Sequence, residues 1–236
     1  MFDVIAFDAD DTLWQNERNY RRVQAKFAQL FADHHSPEWV DARLFETESR
    51  NMEQYGYGIK AFTLSMIETA IALTDGTVSG AEIQVILELA KGMLAAEVEL
   101  LAGVAEAVPL LAERCPLMII TKGDLLDQEA KFRRSGLAPY FRHLEVVSHK
   151  SRDTYEQILR SHGLSPQRFL MVGNSLRSDI LPILELGGSA VYIPHDTTWL
   201  HEVADPPPSG HPGYYTLERF DLLPGWLAEL TRSRGS

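Results

Sequence analysis

Hydrophobic and polar positions follow three successive patterns along this chain. Asp3–Phe7 is a run of five residues rich in branched and aromatic side chains, which predicts a short buried strand of a parallel sheet. Between Trp14 and Ala102 the apolar residues recur at helical spacing, and no strand is expected there. Beyond Ala102, short apolar runs alternate with helical patterns. The chain is therefore expected to combine a sheet with a separate helical segment.

The helical segment contains several amphipathic stretches. Ser36 and Pro37 are typical of a helix N-cap and of the first helical position. Other helices are predicted over Glu17–His34, Ile59–Leu73 and Ala81–Leu101. We predict that residues 15–101 form an all-helical domain, inserted into a core made of residues 1–14 and 102–236.

Strands and helices alternate in the second half of the chain. Further strands are predicted at Leu117–Ile120, Leu144–Val147, Phe169–Val172 and Ala190–Ile193. Helices are predicted at Ala105–Arg114, Leu125–Ser135, Asp153–His162, Ser178–Leu186 and Leu217–Arg232. Loops are expected at Asp205–Pro212 and at Pro194–Trp199, with Trp199 packed inward. This alternation indicates βαβ units, so the predicted fold class is α/β, with a doubly wound parallel sheet.

Composition narrows the range of partners. The chain has 236 residues, a formal net charge of -11 and a pI near 5.2, which argues against a nucleic-acid or acidic-membrane partner. No apolar run is long enough to span a bilayer, and a strand so near Met1 leaves no room for a signal peptide. The single Cys115 excludes an intramolecular disulfide and fits a reducing compartment. We expect a cytoplasmic protein.

Two acidic residues follow the first strand. Asp8 and Asp10 follow the end of the predicted strand Asp3–Phe7, and ligands of open α/β sheets bind beyond the carboxyl ends of the strands. Side chains two residues apart leave a strand on the same face, so the two carboxylates are expected to be close. Their repulsion would protonate one of them unless a cation lay between, and Mg²⁺ suits oxygen ligands. The alternative is an Asx-type turn without a ligand.

Polar residues also follow three later strands. Thr121 comes after the second predicted strand, Lys150 after the third, and Asn174 and Asp179 after the fourth. A metal ion and Lys150 would offset the charge of a phosphate, while the Thr121 hydroxyl would orient one of its oxygens. The set of strand-end residues therefore favours phosphoryl transfer.

These segments resemble the four motifs of the haloacid dehalogenase-like (HAD) hydrolase superfamily. Asp8–Thr12 matches the first motif, Asp-x-Asp-x-Thr, and Thr121 matches the second. Lys150 matches the third motif and Gly173–Asp179 the fourth. The helical segment has the position of the cap that this superfamily carries between its first and second motifs. The resemblance implies a Rossmann-like core with a helical cap.

The resemblance also implies a two-step hydrolysis of a small phosphate monoester, with a phosphorylated metabolite as the substrate. Asp8 would attack phosphorus and form an aspartyl-phosphate. Asp10 would protonate the leaving oxygen and then activate the water that hydrolyses the intermediate. Thr121 and Lys150 would complete the catalytic set and contact the phosphate, and Thr12 would support the geometry of the loop.

A magnesium site is a further implication of the resemblance. Its ligands would be Asp8, the backbone carbonyl of Asp10, and Asn174 and Asp179 of the fourth motif. That motif usually begins with Gly-Asp, so Asn174 would offer a neutral oxygen and Asp179 would carry more of the charge. Asp11 stands where glycine is frequent, and we interpret it as a surface or capping acid.

Asp10 also separates branches of the superfamily. The dehalogenase branch lacks this aspartate because a halide leaves without a proton, so Asp10 favours phosphate chemistry. A phosphomutase or another phosphotransferase would carry the same catalytic set and is an alternative. A phosphoacceptor signalling module resembling response-regulator receivers also uses acids, a Thr and a Lys. Such modules carry the acceptor Asp on a strand before the Thr, whereas here only helices directly precede the strand that ends at Thr121.

Two lysines are candidate substrate contacts. Lys60 ends the stretch Tyr55–Lys60, which is either a flexible connection between helices or a cap loop that reaches the substrate. Lys122 follows Thr121 and is either a solvated charge or a phosphate contact.

Overall fold

The chain divides into two compact units in the computed structural model, which describes residues 2–197, 202–208 and 210–234. The first, here named the sheet unit, comprises Met1–Glu17, Val98–Lys122 and Gln128–Ser236. The second, the helical unit, comprises Arg18–Glu97 and Gly123–Asp127. The segment Arg18–Glu97 lies within the predicted helical domain of residues 15–101, whereas Gly123–Asp127 lie in the part of the chain that was predicted to belong to the core.

Parallel strands form the centre of the sheet unit. They are β1 (Val4–Phe7), β2 (Leu117–Lys122), β3 (Phe141–Val147), β4 (Phe169–Gly173), β5 (Ser189–Tyr192) and β6 (Tyr214–Thr216). Their order in the sheet is β3-β2-β1-β4-β5-β6, and each neighbouring pair is parallel. All four residues of β1 are buried, as expected for a central strand with covered faces.

Helices occupy the segments between the strands and the whole of the helical unit. In chain order they are α1 (Glu17–Leu30), α2 (Pro37–Tyr55), α3 (Ile59–Leu73), α4 (Gly80–Ala95), α5 (Val104–Ala112), α6 (Leu125–Arg134), α7 (Arg152–Ser161), α8 (Leu181–Glu185) and α9 (Leu223–Arg234). No helix among the described residues is both long enough and apolar enough to cross a bilayer.

Alternate residues of β1 face opposite sides of the sheet. Ile5 and Phe7 pack in one apolar cluster with residues of α5 and α9, including Val108 and Leu223. Val4 and Ala6 pack in another cluster, with residues of α7 and α8. Helices therefore cover both faces, which confirms the predicted doubly wound α/β fold.

The helical unit has an apolar core of its own, formed by residues of α1 to α4 such as Phe27, Leu44, Met66 and Ile86. The Ser36 hydroxyl accepts a hydrogen bond from the Trp39 backbone N–H at 3.4 Å, and Pro37 is the first residue of α2, as predicted. The bounds of α3 are also those predicted.

Several elements differ from the sequence-based expectations. Helix α1 ends at Leu30 instead of His34, α8 begins at Leu181 instead of Ser178, and α9 begins at Leu223 instead of Leu217. Helix α4 ends at Ala95 instead of Leu101, because the chain turns extended there and Leu100 pairs with Trp14 in an isolated bridge. Strand β3 begins before Leu144, at Phe141, and β6 was not predicted at all. The expected inward packing of Trp199 concerns a residue outside the described ranges and stays a prediction.

Candidate active site

Asp8 follows β1 at the carboxyl edge of the sheet. Its backbone N–H donates to the Val172 carbonyl oxygen of β4 at 2.9 Å, which extends the strand pairing past Phe7. Phe7 lies opposite Val172 and also opposite Ile119 of β2, so the neighbouring strands end at a similar level. Strands β2 and β3 lie on one side of β1, and strands β4, β5 and β6 lie on the other, so the strand order reverses between β1 and β4. Asp8 thus stands at the switch point where open α/β sheets bind their ligands.

Lys150 connects the first and fourth motifs. Its ammonium donates to a carboxylate oxygen of Asp8 and, at 2.7 Å, to Oδ1 of Asp179. The side chains of Lys150 and Asp179 are each 1% exposed, so water does not screen this cluster. Two carboxylates and one ammonium leave one buried negative charge without a partner.

The pKa values of the cluster reflect this imbalance. Burial raises the pKa of Asp8, the Lys150 ammonium lowers it and the Asp179 carboxylate raises it, with a result of about 7. Burial alone would lower the pKa of Lys150, but the carboxylates of Asp179 and Asp8 raise it well above its ordinary value. The ammonium is therefore permanent, and an additional cation would keep Asp8 ionised at neutral pH.

Thr12 brings two further oxygens together. Its hydroxyl lies 3.0 Å from Oδ2 of Asp8 and 3.2 Å from Oδ1 of Asn174. A hydroxyl has a single proton to donate, so these two acceptor oxygens converge on one donor. The carboxylate of Asp8 and the amide oxygen of Asn174 are therefore both within hydrogen-bond distance of the Thr12 hydroxyl, although 166 positions separate them in the sequence.

Asp179 reaches the cluster because residue 173 is a glycine. Leu176–Ile180 forms a turn of π-helix that directs the Asp179 side chain back toward β4, where Oδ2 accepts the Ser175 backbone N–H at 3.0 Å. A β-carbon at Gly173 would lie 2.2 Å from that same oxygen. The small residue is thus required for this close approach.

Asp10 lies in a different set of contacts, all within the sheet unit. Its Oδ1 accepts from Nε1 of Trp14 at 2.7 Å and from the ammonium of Lys131 at 3.0 Å. Its Oδ2 accepts from Nε2 of Gln128 at 2.8 Å and from Lys131 at 3.2 Å. Asp10 thus hydrogen-bonds to α6 and Trp14, and none of its hydrogen bonds within the described residues goes to Asp8 or Lys150.

The second motif lies at the end of β2, the strand that neighbours β1. Thr121 is buried near the end of β2, and its hydroxyl donates to the Lys122 carbonyl oxygen at 3.4 Å. The ammonium of Lys122 donates to the Ser178 hydroxyl at 3.0 Å and forms an ion pair with Glu202. A phosphate contact by Lys122 remains a prediction, and it would place the substrate next to Glu202.

Glu202 accepts hydrogen bonds from side chains in or next to the second and fourth motifs. Its carboxylate accepts from Lys122, from the Ser175 hydroxyl and, at 2.5 Å, from the Ser178 hydroxyl. Burial would raise the pKa of Glu202, but the Lys122 ammonium and the two hydroxyls lower it to about 2. Glu202 is therefore ionised and ties the fourth-motif turn to the end of β2.

Lys60 belongs to the helical unit and pairs with Asp124 of the same unit. Its ammonium is 3.0 Å from both carboxylate oxygens of Asp124, and its side chain is 56% exposed. The role of Lys60 as a substrate contact stays a prediction.

Asp11 acts as the capping residue that the sequence suggested. Its carboxylate accepts the backbone N–H groups of Asn16, at 2.9 Å, and Glu17, at 3.0 and 3.1 Å, where α1 begins. Asp11 is buried instead of lying at the surface, and its backbone has a φ of +60°.

Sequence reasoning missed the partners of Asp10 and Lys122. Gln128 and Lys131 are three residues apart and therefore share a face of α6, which is a weak signal of a common role. Glu202 lies in a loop after β5 and carries no local signal. Only the folded chain shows that these residues border the motifs.

The residues around Asp8 fit a magnesium ion. Within the described ranges, no group of three or more His, Cys, Asp or Glu side chains is arranged to hold a metal. The oxygens that the structure brings together are the carboxylates of Asp8 and Asp179, which share the Lys150 ammonium, and the Asn174 amide oxygen, which shares the Thr12 hydroxyl with Asp8. Mg²⁺ uses one or two carboxylates and retains water ligands, so this donor set suits it, and its charge would balance the buried excess of carboxylate.

Comparisons with known proteins agree with the fold and the motifs. A model of the haloacid dehalogenase-like hydrolase family matches residues 2–187. A solved haloacid dehalogenase-like family hydrolase from Xanthomonas campestris is 37% identical over 99% of this chain and 94% of its own, with a TM-score of 0.86. No curated protein matched the sequence.

Two more distant solved structures share the fold with this chain. The HAD hydrolase YfnB from Bacillus subtilis, bound to magnesium, is 18% identical over 96% of this chain and 98% of its own, with a TM-score of 0.64. L-2-haloacid dehalogenase from Xanthobacter autotrophicus is 13% identical over 97% of this chain and 99% of its own, with a TM-score of 0.63. The matched family model and the 37% identity to the Xanthomonas campestris hydrolase confirm the resemblance seen in the motifs. This chain therefore belongs to the haloacid dehalogenase-like hydrolase family.

Proposed function

We propose that this hydrolase is a Mg²⁺-dependent phosphatase that cleaves a small phosphate monoester through an aspartyl-phosphate. The observation that supports this proposal most directly is the buried Asp8 carboxylate, held by Lys150 and Thr12 and followed two residues later by a second acid, Asp10. A fixed nucleophile next to an acid–base group is the arrangement that phosphate ester hydrolysis requires.

In the first step Asp8 is the nucleophile. One of its carboxylate oxygens forms a bond to phosphorus while the bond from phosphorus to the ester oxygen breaks. The ester oxygen leaves with the electron pair and takes a proton from Asp10. The Lys150 ammonium stays within reach of the reacting carboxylate and offsets negative charge on the phosphoryl oxygens, and the Thr121 hydroxyl orients one of them.

In the second step water attacks the phosphorus of the aspartyl-phosphate. The bond between phosphorus and the Asp8 oxygen breaks, and Asp8 recovers its carboxylate. Asp10, now unprotonated, accepts the proton of the water. Asp10 thus returns to the acid form in which the cycle began, and inorganic phosphate leaves.

A magnesium ion would complete the charge balance of this site. Asp8, the Asp10 carbonyl, Asn174 and Asp179 would hold it, and when bound it would neutralise phosphate charge and bring the phosphoryl group to Asp8. The Lys150 ammonium, which contacts the carboxylates of both Asp8 and Asp179, would offset the negative charge that the metal ion leaves uncompensated.

Asp10 supports phosphate chemistry over halide chemistry. The fold is shared with a haloacid dehalogenase, so fold alone does not distinguish the two reactions. A halide leaves without a proton, whereas an alkoxide leaving from phosphorus needs one. Asp10 supplies a suitable acid two residues from the nucleophile, and for this reason we favour a phosphate monoester as the substrate.

Hydrolysis assays test this proposal. Purified protein is incubated with 4-nitrophenyl phosphate and a panel of phosphorylated metabolites, with Mg²⁺ or with a chelator, and in parallel with 2-haloacids while halide is measured. We expect metal-dependent phosphate release that is lost in Asp8→Asn and no halide release. Metal-independent phosphate release, an active Asp8→Asn variant or halide release in place of phosphate release would contradict the proposal.

A further inference from the structure

We propose that Gln128 and Lys131 of α6 are positioning residues for Asp10, which fix its carboxylate for the hydrolysis of the aspartyl-phosphate. This inference rests on the phosphatase function proposed above. Both side chains lie on the same face of α6, a helix that contains none of the four motifs.

The first support is that both carboxylate oxygens of Asp10 accept hydrogen bonds. The two carboxylate oxygens of Asp10 receive four N–H contacts, at 2.7 and 3.0 Å on Oδ1 and at 2.8 and 3.2 Å on Oδ2. Lys131 contacts both oxygens, and Gln128 and Trp14 contact one each. A side chain held at both oxygens has one orientation, whereas a free aspartate samples several staggered ones.

The second support is the burial of the donors. Gln128 is 2% exposed and Lys131 is 9% exposed, and burial of an amide and an ammonium is unfavourable unless their hydrogen bonds are made. Nε2 of Gln128 also donates to the Lys122 carbonyl oxygen at 3.0 Å, which fixes α6 against the end of β2. Asp10 is thus held by groups that are themselves immobilised.

The third support is a polar atom that stability does not explain. Oε1 of Gln128 is buried, and within the described residues it has no hydrogen-bond partner. An unpaired buried acceptor destabilises a fold, so an apolar residue of the same size would serve packing better at this position. The use of an amide here is therefore explained by the hydrogen bonds of its Nε2, one to Asp10 and one to the Lys122 carbonyl oxygen.

Positioning matters most in the second step. A base that activates water must hold one orientation relative to the phosphorus, and misplacement by about 1 Å costs on the order of 10²-fold in rate. The first step has less need of Asp10 when the leaving group is a weak base. With 4-nitrophenyl phosphate, 4-nitrophenolate leaves without a proton, so loss of positioning should slow hydrolysis of the intermediate alone.

Rapid mixing with 4-nitrophenyl phosphate and Mg²⁺ tests the inference. In Gln128→Met and Lys131→Met we expect kcat to fall about 10- to 100-fold. We expect KM to fall in parallel, so that kcat/KM, which reports the first step, changes by less than about threefold. A burst of 4-nitrophenolate approaching one equivalent per enzyme should precede the slow steady state, and intact-protein mass spectrometry should show the phosphorylated protein.

Matched controls and a rescue variant accompany these measurements. Gln84→Met and Lys91→Met make the same replacements on α4, where both side chains are exposed and contact Glu88, and we expect wild-type kinetics from both. Lys131→Arg keeps a cation near Asp10 and should recover part of kcat. Circular dichroism verifies folding, and if Lys131→Met does not fold, Gln128→Met, which removes the unpaired acceptor, decides the matter.

The outcomes separate this inference from the proposed function. A wild-type protein without metal-dependent phosphatase activity overturns the function and the inference together. An active wild type with folded variants that keep kcat and show no burst overturns the inference alone. Equal losses of kcat and kcat/KM without phosphoprotein indicate a general structural role and also overturn it.

Discussion

Gly173 and Asp179 are so close that any side chain at residue 173 would collide with the Asp179 carboxylate. A β-carbon there would lie 2.2 Å from Oδ2 and 2.4 Å from Cγ. The last residue of β4 therefore determines whether the acid on the following π-helical turn can enter the cluster around Lys150. The glycine is needed for proximity and has no positive φ to explain it.

Gly173→Ala should displace Asp179 and lower both stability and activity. We expect a loss of about 2 kcal/mol in the free energy of unfolding, because overpacking a dense core typically costs 1–3 kcal/mol, and a loss of more than about tenfold in kcat. Urea unfolding and phosphatase assays measure the two effects. Gly92→Ala is the control, since a β-carbon at Gly92 meets nothing within 4 Å and alanine favours a helix. Equal behaviour of the two variants would contradict the role of Gly173.

Lys150→Met should leave two buried carboxylates without their common cation. We expect a destabilisation of about 3 kcal/mol at pH 8 in metal-free buffer, as is typical when one partner of a buried ion pair is removed. Mg²⁺ should restore part of that loss, because it would supply positive charge at the same place. Thermal unfolding with and without Mg²⁺ checks both points. A variant as stable as the wild type without metal would show that the ammonium does not balance this cluster.

Asp8→Asn should stabilise the metal-free protein at alkaline pH. The pKa of Asp8, about 7 when folded, exceeds its ordinary value of 3.8, so the folded state binds the proton more tightly than the unfolded state. Stability contributed by Asp8 is complete below about pH 4 and is lost as the pH rises to about 7. The stabilising effect of Asp8→Asn should therefore grow between pH 5 and pH 8, to about 2 kcal/mol. Melting curves in chelator-containing buffers test this, and a pH-independent difference would count against it.

Glu202→Gln should behave in the opposite way. The pKa of Glu202 is about 2 in the folded protein against an ordinary 4.5, so its contribution is present above about pH 4.5 and is lost as the pH falls toward 2. We expect Glu202→Gln to destabilise the protein by about 2 kcal/mol at neutral pH, since the charge-assisted contact with Lys122 is weakened. The difference in stability between Glu202→Gln and the wild type should stay constant from pH 8 to pH 5.5. A deficit that disappears within that window would refute the assignment.

The sequence predicted much of the fold because local patterns carried the information. The apolar spacing of α3 predicted both ends of that helix, and the run of apolar residues in β1 predicted a buried strand. The misses come from edges and turns. Strand β6 is three residues long and only partly buried, so it lacks a distinct apolar pattern, and it forms because β5 offers a partner. Helix α4 ends before its apolar spacing does, since Leu100 pairs with Trp14 instead.

The site was predictable where motifs follow strands and unpredictable where contacts cross the fold. Asp8, Lys150 and Asp179 meet because parallel strands end at one edge, a rule that applies without coordinates. The hydrogen bonds of Asp10 with Gln128 and Lys131 depend on how α6 packs beside β2, which no periodicity reveals. The contact of Lys122 with Glu202 depends on the path of a loop.

The central position of β1 also affects how this chain folds. Ile5 pairs with Leu117 and Val4 pairs with Phe169, so the strand that precedes Asp8 pairs with strands that are synthesised much later. Closing such long loops is slow compared with forming neighbouring helices, so we expect β1 to join the sheet late. Pulse-labelled hydrogen exchange during refolding would show its amides protected after those of α2 and α3. A newly made chain would then bring Asp8 to the carboxylate-binding ammonium of Lys150 only in the last stage of folding.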